Sequence, residues 1–176
     1  MSHIVELHLH LDGSLRPETV WELAKEQGVE LPAKSAEEVK YMMEVPEDCK
    51  TLEEYLERFD LPLLVLQKAD AIERVTFELV EDLAKEGVEY AELRFAPQFS
   101  IKDGLTQDEV VEAAIRGAER GMKMYPQIRV LLFFAPCSML SCNDFPCRIP
   151  YKKPAMKLSP APIVSTTSHG IIPNSV

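Results

Sequence analysis

An α/β fold with a parallel sheet is the class this sequence predicts, and three observations lead there. Strand-like and helix-like segments alternate along residues 4–134, the order that parallel sheets with helical crossovers require. Residues 128–134 (Ile-Arg-Val-Leu-Leu-Phe-Phe) are almost wholly apolar, as expected for a strand buried on both faces. Two histidines, His8 and His10, close the first strand, at the end where parallel α/β folds gather functional side chains.

The first strand is expected over residues 4–10. Side chains alternate faces with period two, so Glu6, His8 and His10 share one face. Ser14 to Gly28 reads as a turn followed by a helix. Pro17 suits the first helical position, Val20, Leu23 and Ala24 form an apolar stripe, and Gly28 supplies a left-handed stop. Ser35 with Glu38, and Thr51 with Glu54, have the spacing of capping boxes. After Thr51, the residues Leu52, Tyr55, Leu56 and Phe59 make an apolar face at helical period. A longer helix is expected from about Ala69 to Glu86, with Ile72, Val75, Leu79, Val80 and Leu83 on one face and Gly87 as its stop.

Val88 to Phe95 is the second strand. Ala91, Leu93 and Phe95 share one face, and Tyr90, Glu92 and Arg94 the other. The charges of Glu6, Glu92 and Arg94 are expected to pair, because an unpaired buried charge is costly. Thr106 and Glu109 cap another helix, striped by Val110, Val111, Ala114, Ile115 and Ala118. The apolar run 128–134 is the third strand. A closed (β/α)8 TIM barrel needs eight units and usually about 250 residues. The sequence therefore predicts a partial barrel of about the first three β/α units. Its last strand would be an open edge, which invites pairing, self-association or poor solubility.

Composition limits the partners. The 176-residue chain carries a formal net charge of -10, which argues against nucleic acid and anionic membrane surfaces. No apolar run approaches the roughly 20 residues that span a bilayer. Residues 1–6 (Met-Ser-His-Ile-Val-Glu) lack the basic and apolar segments of a secretory signal, so a cytoplasmic location is expected. Cys49, Cys137, Cys142 and Cys147 do not suggest a disulfide frame.

Character changes near residue 135. Residues 136–176 hold four bases (Arg148, Lys152, Lys153, Lys157) against one acid, Asp144, and seven of the 13 prolines. No glutamate follows Glu119. Two regions are therefore expected: 1–134, the organised part, and 135–176, a Pro-rich, irregular tail expected to be disordered. A shifted reading frame or an alternative end is the expected origin of the simultaneous change. The five-residue spacing of Cys137, Cys142 and Cys147 matches no zinc knuckle, and Lys152-Lys153 reads as a solvated pair.

The chemistry lies at the start of the chain. Neutral imidazole is the commonest protein ligand for zinc-like ions, and His8-Leu9-His10 on a strand points two imidazoles the same way. That spacing alone also occurs in phosphoesterases and in several amidohydrolases. The longer string Glu6-Leu-His-Leu-His-Leu-Asp-Gly-Ser14, followed by Arg16-Pro17-Glu18-Thr19, resembles the opening of the adenosine deaminase family. Glu86-Gly-Val-Glu-Tyr-Ala-Glu-Leu-Arg-Phe-Ala-Pro97 resembles a later family segment, and Thr51-Leu-Glu-Glu-Tyr-Leu-Glu-Arg-Phe-Asp60 resembles the helix over its active-site mouth. The likeness covers residues 4 to about 134.

The resemblance implies one Zn2+ ion, held by His8 and His10, with His10 also close to a purine nucleoside substrate. It implies that Asp12 binds the substrate sugar. Leu52, Tyr55, Leu56 and Phe59 would line a hydrophobic gate over the purine. In this family water activated by the ion attacks C6 of adenine in a nucleoside, giving inosine and ammonia. The glutamate, further histidine and aspartates that complete the family's chemistry have no matching position here, so no catalytic residue is assigned. With two of the usual three protein ligands, the ion should be weakly held and the chain inactive alone. A non-catalytic binding or assembly fragment, and another amidohydrolase sharing His-x-His, are the alternatives.

Overall fold

A computed structural model describes residues 4–134. Three parallel strands, β1 (Ile4–His10), β2 (Val88–Phe95) and β3 (Arg129–Phe134), lie side by side in chain order. The β2–β3 register is unbroken from Tyr90 opposite Arg129 to Phe95 opposite Phe134. Between β1 and β2 it shifts twice and ends with His10 opposite Arg94. The expected α/β class and parallel sheet are thus present.

Six α-helices connect the described strands: α1 (Pro17–Gln27), α2 (Ala36–Met43), α3 (Leu52–Leu56), α4 (Asp60–Val65), α5 (Ala69–Lys85) and α6 (Gln107–Met124). α1 starts at Pro17 and stops at Gly28, whose φ of 69° is left-handed. Gly87, with φ 83°, turns the chain from α5 into β2. Both positions favour glycine because a Cβ is strained there. At α6 the Thr106 and Glu109 side chains each accept from the other's backbone, a complete capping box. At α2 and α3 the Ser35 and Thr51 side chains accept from the backbone N–H of Glu38 and Glu54, half of the expected box. Their partners Glu38 and Glu54 instead accept from Lys34 and Lys50, one residue before the caps.

The core forms where α5 and α6 pack with the sheet. Ile72, Val75, Leu79, Val80, Val110, Ala114, Ala91, Leu93, Ile128 and Val130 are all buried in one cluster. The two helices approach closely because α6 presents Gly117 and Gly121, four residues apart, to Glu73, Thr76 and Val80 of α5. A polar seam binds α1 to α5. Arg16 forks onto Asp82 and Glu81, while Thr19 donates to Glu78 at 2.6 Å. Tyr125, just past α6, donates to the other oxygen of Glu81 at 2.5 Å. These bonds hold Glu81 at a pKa of about 2, with the Arg16 hydrogen bond the largest cause.

The expectation that residues 128–134 are buried on both faces does not hold. Within β3 only Val130 is buried, and Phe133 remains 40% exposed. The reason is positional. Among the described residues β3 pairs only with β2, so nothing covers its outer edge. Likewise Ile4, Val5 and Leu7 of β1 stay exposed. The anticipated tail disorder, Asp144, the Lys pair and the three late cysteines lie outside the described residues.

Candidate functional site

The site is built at the end of β1. His8 and His10 project from one face, with ring centroids 5.3 Å apart and planes tilted by 38°. Both residues are exposed, so the pair can be reached from solvent. Two exposed imidazoles this close fit two ligand positions of one zinc-type ion. No group of three or more His, Cys, Asp or Glu side chains placed to hold an ion occurs among the described residues.

A 3-10 turn over Leu11–Gly13 follows β1, tied back by the Ser14 hydroxyl donating to the His10 carbonyl at 2.6 Å. This turn carries Asp12 inward. Asp12 is only 7% exposed, and its Oδ1 is buried without a hydrogen-bond partner among the described residues. His10 Nδ1 stands 3.7 Å from that oxygen, too far for a hydrogen bond. Burial pushes the Asp12 carboxyl above the ordinary aspartate range, and the charge of a protonated His10 offsets part of that rise.

The apolar face begun at Leu52 closes the other side. It runs through α3, a 3-10 turn at Glu57–Phe59 and then α4. The structure brings only part of this face to the histidines. Phe59 meets the His10 ring edge-on at 5.9 Å, and Tyr55 meets Phe59 at 5.7 Å. Leu52 and Leu56 remain exposed. A small cleft of about 60 Å³ is lined by Phe59 together with Gly13, Met43, Val45, Tyr55, Arg58 and Pro62.

Beside the histidines, Arg94 donates to Glu92 at 3.1 Å and to the Leu7 carbonyl at 3.3 Å. Its guanidinium lies over the Phe133 ring at 5.2 Å. The expected pairing of Glu92 with Arg94 is therefore present, while Glu6 forms no ion pair with Arg94. Tyr90 donates to Glu92 at 3.2 Å, and burial, followed by Glu92, raises the Tyr90 pKa. Two contributors escaped sequence reasoning. Arg16 anchors the helix that follows the site, and Gly13 lies directly against Phe59. Neither carries a spacing signal, because each acts on a partner more than 40 residues away.

The family model for adenosine deaminase matches residues 4–144. The chain belongs to the adenosine deaminase family. An adenosine deaminase of Clostridium perfringens is 50% identical over 121 residues, covering 69% of this chain and 36% of that one. The chain thus spans about a third of the length of the curated relatives it matches. Among solved structures, an adenine deaminase from Arthrobacter aurescens is similar at a TM-score of 0.65 and 27% identity. That match covers 75% of this chain and 39% of that one. An amidohydrolase from Burkholderia ambifaria with bound Zn is similar at a TM-score of 0.64 and 25% identity, covering 75% and 35%. The described strands and helices are accordingly part of a (β/α)8 barrel. Among the described residues, no helix of this adenosine deaminase family member is long and apolar enough to cross a membrane.

Proposed function

We propose that residues 4–134 form the two-histidine, gate-bearing portion of a zinc-dependent deaminase. Its substrate is adenosine or a related purine nucleoside, and its products are inosine, or its counterpart, and ammonia. One geometric observation carries the reading. At the end of β1 stand two adjacent imidazoles, a buried carboxylate oxygen with no hydrogen-bond partner among the described residues, and an aromatic ring set against the second imidazole. Relatives named for adenosine and adenine deamination, and a neighbour with bound Zn, support the purine and the ion.

In this reading His8 and His10 hold the ion. When bound, it supplies Lewis acidity that brings the pKa of a water toward neutrality. Asp12 receives a sugar hydroxyl. Its unmatched Oδ1 costs about 1–3 kcal/mol while unpaired, and a substrate hydroxyl recovers that cost on binding. Phe59 and Tyr55, with Leu52 and Leu56 at the outer end, cover the purine and keep water from its face. Two imidazoles are one ligand short of a usual catalytic zinc site, so the isolated chain holds zinc weakly and does not turn over nucleoside. It self-associates through its strand edges, where Ile4, Val5 and Leu7 are open.

The test grafts residues 4–134 into the Clostridium perfringens relative in place of the matching segment. The graft is expected to bind zinc and form inosine, and His8→Ala or His10→Ala to remove most of the zinc. Full zinc retention in both variants would overturn the ligand assignment. Adenosine turnover by the 176-residue chain alone would overturn the inactivity. Tight capture of another polypeptide by a graft without turnover would favour the assembly reading instead.

A further inference from the structure

Gly13 is a glycine without a backbone reason to be one. Positive φ among the described glycines occurs at Gly28, Gly87 and Gly104, and Gly13 is not among them. Any residue can adopt its backbone conformation, so the requirement must come from space. A Cβ built on Gly13 would lie 2.8 Å from Cε1 and 3.2 Å from Cζ of Phe59. Its next neighbour would be the His10 Cβ at 3.6 Å. The bare α-carbon is therefore a seat into which the Phe59 ring settles.

That seat fixes more than one ring. Phe59 meets His10 edge-on, Tyr55 meets Phe59, and His10 faces His8, so four rings form a continuous row. The row joins the strand that carries the histidines to the helical segment over them. Gly13 belongs to the same 3-10 turn as Asp12 and abuts Phe59 of that segment. We infer that Gly13 is a positioning residue: the missing side chain sets how far Phe59 reaches over His10, and so how deeply the gate closes on the substrate. The inference rests on the reading of Leu52–Phe59 as a gate.

The contact atoms are the far end of a Phe side chain, which rotates aside more readily than backbone moves. Gly13→Ala should consequently swing Phe59 off His10 while the core stays folded. The experiment follows the His10 ring protons by NMR in the full 176-residue chain, in the wild type and in Gly13→Ala, Phe59→Leu and the double variant. The expected result is that Gly13→Ala removes most of the ring-current displacement that Phe59→Leu removes. In the double variant Gly13→Ala should add nothing. An unmoved His10 signal in Gly13→Ala, or an equal effect of that change with and without Phe59, overturns the inference. If Gly13→Ala fails to fold, refolding in the double variant supports the seat, and continued unfolding overturns it.

Adenosine and inosine are then titrated onto the wild type and Gly13→Ala in the grafted relative. A KM raised several-fold with little change in kcat is expected. Intact ring coupling with an unchanged KM keeps the seat but removes the gate reading, so the two failures are distinguishable.

Discussion

Replacing Gly117 by alanine tests how closely α5 and α6 must approach. In an open helix interior this change stabilises by about 1 kcal/mol, because alanine is the better helix former. Here the added Cβ would strike the carbonyl oxygen of Glu73, and would lie 2.8 Å from the Thr76 Cβ and 3.2 Å from the Glu73 carbonyl carbon. Glu73 contributes backbone, which cannot rotate away. Thr76 is fully buried, and its hydroxyl is tied to the Ile72 carbonyl at 2.8 Å. The helices must therefore move apart, which loosens contacts among Ile72, Val75, Val110 and Ala114. Overpacking of this kind costs roughly 1–3 kcal/mol, occasionally more. Because the closest atom struck is backbone, the cost falls in the upper part of that range, about 2–3 kcal/mol, and the helix-propensity gain of about 1 kcal/mol offsets part of it. A net loss of about 1–2 kcal/mol is expected, lowering Tm by roughly 3–10 °C for a folded unit of this size. Urea and thermal unfolding followed by circular dichroism measure it. A Gly117→Ala chain as stable as the wild type, or more stable, would refute the close-packing argument. Gly121→Ala makes a useful contrast. Its clash is with the Val80 side chain, so Val80→Ala should restore part of the loss there and none at Gly117.

Arg16→Leu should destabilise the fold by about 1–3 kcal/mol by removing a charge-assisted fork onto Asp82 and Glu81, measured by urea unfolding. The same pair makes stability acid-sensitive. Glu81 titrates near 2 in the folded chain, below its ordinary 4.5, so its contribution is complete above about pH 4.5 and fades as pH falls toward 2. Screening at this partly exposed seam limits it to about 1 kcal/mol. The acid limb of the stability curve should flatten in Arg16→Leu, and an unaltered limb would show that another group carries it. Thr106→Ala should cost about 1 kcal/mol by opening the capping box of α6, and Thr106→Ser should recover most of it. Val5→Lys with Leu7→Lys should shift the chain toward monomer in light scattering if β1's exposed edge drives self-association; an unchanged mass would place the contact elsewhere.

Legibility in the sequence followed the range of the interactions. Elements set by neighbours a few residues apart were readable: Pro17 and Gly28 bracket α1, Thr106 with Glu109 starts α6, and the alternation in 88–95 separates buried Leu93 from half-buried Arg94. Burial of β3 was misread, since an apolar run reports what a strand prefers and not what covers it. The polar seam was invisible for a similar reason. Arg16 lies 66 residues before Asp82, and nothing local to Arg16 distinguishes it from a solvated side chain.

The candidate site divides along the same line. Period-two alternation places His8 and His10 together whatever the rest of the chain does, because both sit on one strand. Phe59 reaches His10 only because α3 and the turn after it fold back across 48 residues of intervening sequence, and the family resemblance implies a place for Phe59 over the purine but no contact with His10. Ligand direction is thus a local property and ligand number a non-local one. A strand can aim two imidazoles unaided, but a third donor and a closed gate must arrive from other elements. Zinc titration separates these contributions. In the 176-residue chain, Phe59→Leu should leave weak zinc binding nearly unchanged while His10→Ala abolishes it. An equal loss from both would mean that the ring row, rather than the strand, organises the ligands.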